Sequence, residues 1–116
     1  MNVDNHLSSF VHSFVLNSRR ERWLDLLMNQ KDKAAQVKSK LVNALDERYC
    51  RRVKTINGVD PGTMGVFFDF YSSPSVVPLS DAMTKGDCRD AIFSVLPGKL
   101  AIVFFHEGEL WFCAKP

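Results

Sequence analysis

The side chains of this chain that could do chemistry are three histidines, three cysteines and a scatter of carboxylates. Cys50 comes first, because Arg48, Arg51 and Arg52 stand beside it. Nearby cations stabilise a thiolate, the form in which cysteine attacks. A nucleophile also needs a base, and no histidine is near Cys50 in sequence, so a structural thiol is the simpler reading. Cys88 falls on an apolar helical stripe and Cys113 inside an apolar run, so both read as core. His6 and His12 are six residues apart. That spacing puts them on different helical faces, unlike the i, i+4 pair of a metal site. His106 falls at a turn, where a polar residue is expected in any case. The glycines occur singly, and nothing matches G-x-S-x-G, a P-loop or a dinucleotide fingerprint. The expectation is a protein without metal, cofactor or catalytic constellation.

Charge is the remaining signal. Residues 1–56 hold 11 Lys/Arg against 6 Asp/Glu, while residues 57–116 hold 4 against 7. The acidic half offers Asp81, Asp87, Asp90, Glu107 and Glu109 as contacts for a basic partner. Asp87 reads as a helix N-cap, with Asp90 suited to the positive end of that helix. The basic half offers Arg19, Arg20 and Arg22 beside Trp23, then a dense group of Arg48, Arg51, Arg52 and Lys54. Those cations could line a phosphate-contacting face. Acidic residues interrupt the run, however, and the pI is only about 8.5. A solvated basic face is the commoner meaning of such a pattern.

These residues need elements to position them. At 116 residues the chain is long enough for one core and one domain. Apolar content of 46% and charge of 24% are those of an ordinary soluble protein. No apolar run approaches the roughly 20 residues that span a bilayer. Asp4 and His6 stand where an export signal would be basic, so a cytoplasmic location is expected. The odd cysteine count and absence of CxxC spacing argue for reduced thiols.

Leu7, Phe10, Val11, Phe14 and Val15 recur at the spacing of one helical face, with Asp4 or Asn5 as cap. Ser18 to Glu21 fits a capping box opening a second helix through Trp23, Leu24, Leu27 and Met28. Only Asn17-Ser18 separates the two, so they could form one bent rod. Ala34, Val37, Leu41 and Leu45 mark a third helix. Strands are expected at Val53 to Ile56 and Val66 to Tyr71, with a loop from Ser72 to Pro78. Leu79 to Thr84 reads as a further helical turn. Cys88, Ala91, Ile92, Val95 and Leu96 have helical spacing and predict a helix from Asp87, stopped by Pro97-Gly98. Lys99 to Phe105 and Glu109 to Ala114 then form a β-hairpin, too apolar on both faces to lie against water. The fold class is α+β: N-terminal helices (residues 4–50), then a small, mostly antiparallel sheet (residues 53–116). One further helix precedes the C-terminal hairpin.

Phe14-Val15, Arg19-Arg20-Glu21-Arg22-Trp23-Leu24-Asp25-Leu26-Leu27, Leu45-Asp46-Glu47-Arg48-Tyr49 and Leu96-Pro97-Gly98-Lys99-Leu100-Ala101 form a pattern spread over most of the chain. It resembles a group of small bacterial proteins that share this helical opening and a late PGKLA…EGE hairpin. The shared motifs are structural, and the resemblance implies a bacterial-type cytosolic domain without assigning an activity or a functional residue. Size, charge and the lack of catalytic motifs together point to a non-enzymatic protein-binding module of the bacterial immunity or inhibitor type. Its partner would be a protein, for instance a basic toxin domain. A nucleic-acid-associated module using the basic half is the alternative.

Overall fold

The computed structural model describes residues 1–116. Helix α1 (Val3–Phe14) buries Leu7, Phe10, Val11 and Phe14, the stripe its spacing predicts. Its cap is Asn2, whose side chain accepts from the Asn5 amide, rather than Asp4 or Asn5. The chain then turns extended at Val15 and Leu16, so α1 and α2 (Arg20–Asn29) are separate rods. A 3₁₀ turn, Asn17–Arg19, takes the place of the expected capping box, and Ser18 makes no cap bond. The third helix is shorter than its periodicity suggested. It is α-helical as α3 (Lys31–Val37) and continues as 3₁₀ from Lys38–Ala44.

Six strands make one antiparallel sheet: β1 (Cys50–Val53), β2 (Met64–Phe68), β3 (Ser75–Pro78), β4 (Ala91–Leu96), β5 (Leu100–Phe104) and β6 (Leu110–Ala114). Their order is β1-β6-β5-β4-β2-β3. Strand β1 starts earlier than expected, because Cys50 to Val53 pair with Leu110 to Cys113. Ser75–Pro78, expected as loop, pairs with β2 as an edge strand. Pro78 in it and Pro74 just before it fit that position, since an edge strand can forgo ladder donors.

The segment after Asp87 is the main correction. Ala91–Leu96 is a strand, and the additional helix is α4 (Leu79–Lys85), upstream of it. The helical spacing was real, but the run from Ala91 to Leu96 has only six residues before Pro97. Ile92, Phe93 and Val95 are β-branched or aromatic, and a short run buried on both faces favours a central strand over a helix. Asp87 is therefore not an N-cap. It lies in the turn after α4, and neighbouring Cys88 is exposed at φ 58° instead of being buried in the core.

The two sheet faces are covered differently. Ile92, Ala101, Val103 and Cys113 pack with Phe10, Phe14, Leu26, Leu27 and Leu41 under the N-terminal helices. Phe93, Ile102 and Phe104 form a smaller core with Leu79 and Ala82 of α4, flanked by Ile56 and Val59. The hairpin of β5 and β6 pairs as expected and β5 is buried on both faces, but β6 departs from the full cover expected of it. Strand β6 keeps Trp111 and Phe112 partly exposed. Gly98, at φ 70°, makes the tight β4–β5 turn, and a Cβ there would lie 2.7 Å from Ser13 Oγ of α1.

Candidate functional site

The β5–β6 turn and the turn after α4 lie together, and this gathers part of the acidic half. Asp87, Gly108 and Glu109 border a cleft of about 90 Å³ with Met83, Phe104 and Leu110 also lining it. Asp87 is exposed and Phe104 is buried, so carboxylates form the rim and apolar side chains the floor. Glu107 stands next to Gly108 on the same turn with its side chain 74% exposed. Gly108 has φ 84°, a conformation that opens the turn and that glycine adopts without penalty. Glu109 is held in place: its Oε1 accepts from Trp111 Nε1 at 3.0 Å and lies 3.6 Å from Arg52 Nε. Asp81 is exposed on the first turn of α4, outside the cleft lining.

Asp90 does not join that surface. It is 2% exposed at the entry to β4. One carboxylate oxygen accepts from the backbone N–H of His106 at 3.0 Å, and the two oxygens lie 3.1 and 3.2 Å from His106 Nδ1. Lys38 Nζ approaches from the helical layer at 3.8 Å and also sits 4.1 Å from the centre of the Tyr71 ring. The expectation of a surface Asp90 rested on an exposed helical turn. In a strand, the same residue begins a buried segment. Nothing in sequence signalled this cluster, whose members are separated by 16 residues and more. An imidazole oriented by a carboxylate is an arrangement general bases use. Here no serine, threonine or cysteine side chain hydrogen-bonds His106, whose Nε2 lies 3.7 Å from Glu107 instead.

The basic candidates divide in the same way. Arg20 donates from Nε to the Val15 carbonyl at 2.9 Å and from Nη1 to Asn17 at 3.3 Å, so it closes the break between α1 and α2. Arg48 grips Asp46 through Nη2 at 2.7 Å and Nε at 3.1 Å. The hydrogen bond from Arg48 holds the Asp46 carboxyl below its usual range, against the opposing effect of burial. Arg52 pairs with Glu109. Arg19, Arg22, Arg51 and Lys54 are exposed without a carboxylate partner, Arg51 lying over the Phe112 ring at 5.9 Å. Arg19 ends the 3₁₀ turn, Arg22 belongs to α2, and Arg51 and Lys54 belong to β1 and its exit, so they are carried by different elements.

Other recesses carry mixed charge. The largest, about 840 Å³, is a shallow groove along α2 where Glu21 and Asp25 offset Arg22. A polar recess of about 210 Å³ joins Lys85 and Arg89 with Ser72, Ser73 and Ser75, residues that sequence reasoning did not connect. Asp69 reaches Arg89 at 3.5 Å there and accepts from the Tyr71 and Ser72 amides. No three His, Cys, Asp or Glu side chains group as a metal-ligand set. Cys50 is buried rather than displayed among its arginines, with its Sγ 3.7 Å from the Phe14 carbonyl.

No helix is long and apolar enough to cross a membrane. Comparison of the chain with protein-family models, curated proteins and solved structures returns no match.

Proposed function

We propose that this chain is a non-enzymatic protein-binding module of the bacterial immunity or inhibitor type, neutralising a basic toxin domain by direct contact. The observation that carries the reading is the cleft in which Asp87 and Glu109, distant in sequence, share a rim over an apolar floor. A recess of about 90 Å³ has room for one side chain. A lysine or arginine suits it, because the aliphatic stem can lie on Phe104 and Leu110 while the cation meets the rim. Carboxylates so placed speed encounter with a basic surface and disfavour partners of the wrong charge. The chain as a whole carries +2, so the attraction is local to this end of the sheet. The resemblance to small bacterial proteins, carried by the helical opening and the hairpin, supports a bacterial cytosolic setting as part of the same reading.

Titration against a basic toxin domain, looked for first in the product of the neighbouring gene, tests the proposal. Asp87→Lys with Glu107→Lys should slow association by about tenfold and reduce its salt dependence. Arg51→Glu with Lys54→Glu should leave binding unchanged. If only the basic pair matters, and nucleic acid is bound with a salt slope that these changes flatten, the nucleic-acid reading replaces this one.

A further inference from the structure

We propose that Cys50 and Cys113 are a dithiol that closes into a disulfide between β1 and β6, a covalent modification independent of the cleft. The register sets Cys50 directly opposite Cys113. The phase of the ladder decides what kind of rung they form. Ala114 N–H donates to the Tyr49 carbonyl at 3.0 Å, while Lys115 N–H donates to Lys99 on the other side at 2.9 Å. Bonding directions alternate along a strand, so the backbone of Cys113 turns toward β5 and the Cys50–Cys113 rung is a non-hydrogen-bonded one. Such rungs bring Cα atoms to about 4.5 Å, inside the roughly 4.4–6.8 Å range that a disulfide spans.

Both thiols are free, and both lie on the sheet face beneath α1, where Cys50 is 2% exposed and Cys113 0%. Burial, with the adjoining Cys50 thiol adding to it, pushes the Cys113 thiol well above its ordinary pKa. Cys50 is the first to react, because it lies on the edge strand whereas Cys113 is flanked by β1 and β5. Access comes through β1 itself, a four-residue edge strand held by a single neighbour and bearing exposed Arg51 and Arg52. Short edges are among the first segments to open.

The oxidant required is a low-molecular-weight disulfide. The Cys50 thiolate attacks one sulfur of that disulfide, breaking its S–S bond and releasing one thiol. Cys113, as thiolate, then attacks the Cys50 sulfur and releases the second. Two protein thiols become one disulfide, and the oxidant takes up both electrons and both protons as two thiols. The product staples the one strand that precedes the β2–β3 hairpin to the C-terminal strand.

The test uses full-length protein carrying Cys88→Ser, which removes the exposed thiol, incubated with oxidised glutathione under native conditions. The expected product has lost two hydrogens by intact mass, carries no glutathione, and yields a Cys50–Cys113 linked peptide. Its Tm should rise, and a reductant should return it to the starting value. Cys113→Ala in the same background should instead stop at a glutathione adduct on Cys50. Peptide mapping of the wild-type chain asks the same question without substitutions. A stable adduct in the two-thiol protein, a disulfide-linked dimer, or a linkage formed only after unfolding would overturn the proposal.

Discussion

His6 Nδ1 lies 2.7 Å from Ser94 Oγ, and this hydrogen bond joins the first helix to the middle of the sheet. Both residues are buried, His6 at 4% and Ser94 at 1% exposure. Burial lowers the His6 pKa, the N-terminal charge lowers it further, and hydrogen bonding to the Ser94 backbone opposes both. The folded state therefore prefers neutral imidazole. For a base whose folded pKa is depressed, the stabilisation is complete above the unfolded value, about 6.5, and is lost as pH falls through the window below it. Urea denaturation should show a midpoint that drops between pH 7.5 and pH 5.5, with a smaller drop in His6→Gln. Equal drops in the two proteins would show that His6 is not the group responsible.

Asp90 gives a second expectation. Its carboxylate serves His106 through both backbone and ring and reaches Lys38. Asp90→Ala leaves the His106 amide without that acceptor and should cost about 1–3 kcal/mol. Asp90→Asn keeps an acceptor oxygen and should cost less. Denaturation midpoints of the two variants decide the point, and an Asp90→Ala protein as stable as wild type would mean that the cluster contributes nothing.

Position along β5 should set the cost of truncation. Ile102 is wholly buried at the strand centre, while Leu100 is partly exposed at its start. Ile102→Ala should lose about 2–5 kcal/mol, and Leu100→Ala clearly less, because less apolar surface leaves the core. The comparison is clean because both side chains belong to the α4-side core.

Gly98 and Gly108 separate conformational from steric demands. Both have positive φ, but only at Gly98 would a Cβ meet another side chain, Ser13 Oγ at 2.7 Å. Gly108→Ala should cost about 1–2 kcal/mol, the left-handed penalty alone. Gly98→Ala should cost more, and Ser13→Ala combined with it should recover only the excess. Calorimetry of the four proteins tests this.

Much of the architecture was legible in the residues. The stripe of Leu7, Phe10, Val11 and Phe14 repeats at helical period, and each of these side chains is buried where that period places it. The runs around Leu100 and Leu110 are apolar on both faces and bounded by turn glycines, which predicts their pairing as a hairpin, with β5 inside the sheet and β6 only partly covered. Local pattern sufficed in these cases because burial and periodicity pointed the same way. Ala91 to Leu96 was not legible, since a six-residue run that is apolar except at Ser94 fits a helix or a buried strand equally well. Pairing with β2 and β5 decided it, a long-range interaction that local spacing does not encode. The same holds for the candidate site. The types of Asp87, Glu109, Asp90 and Cys50 are written in the chain. Which carboxylates meet over one cleft, which one is buried against His106, and which thiol faces Cys113 follow only from strand order and register. Those emerge when distant segments cover one another's apolar faces.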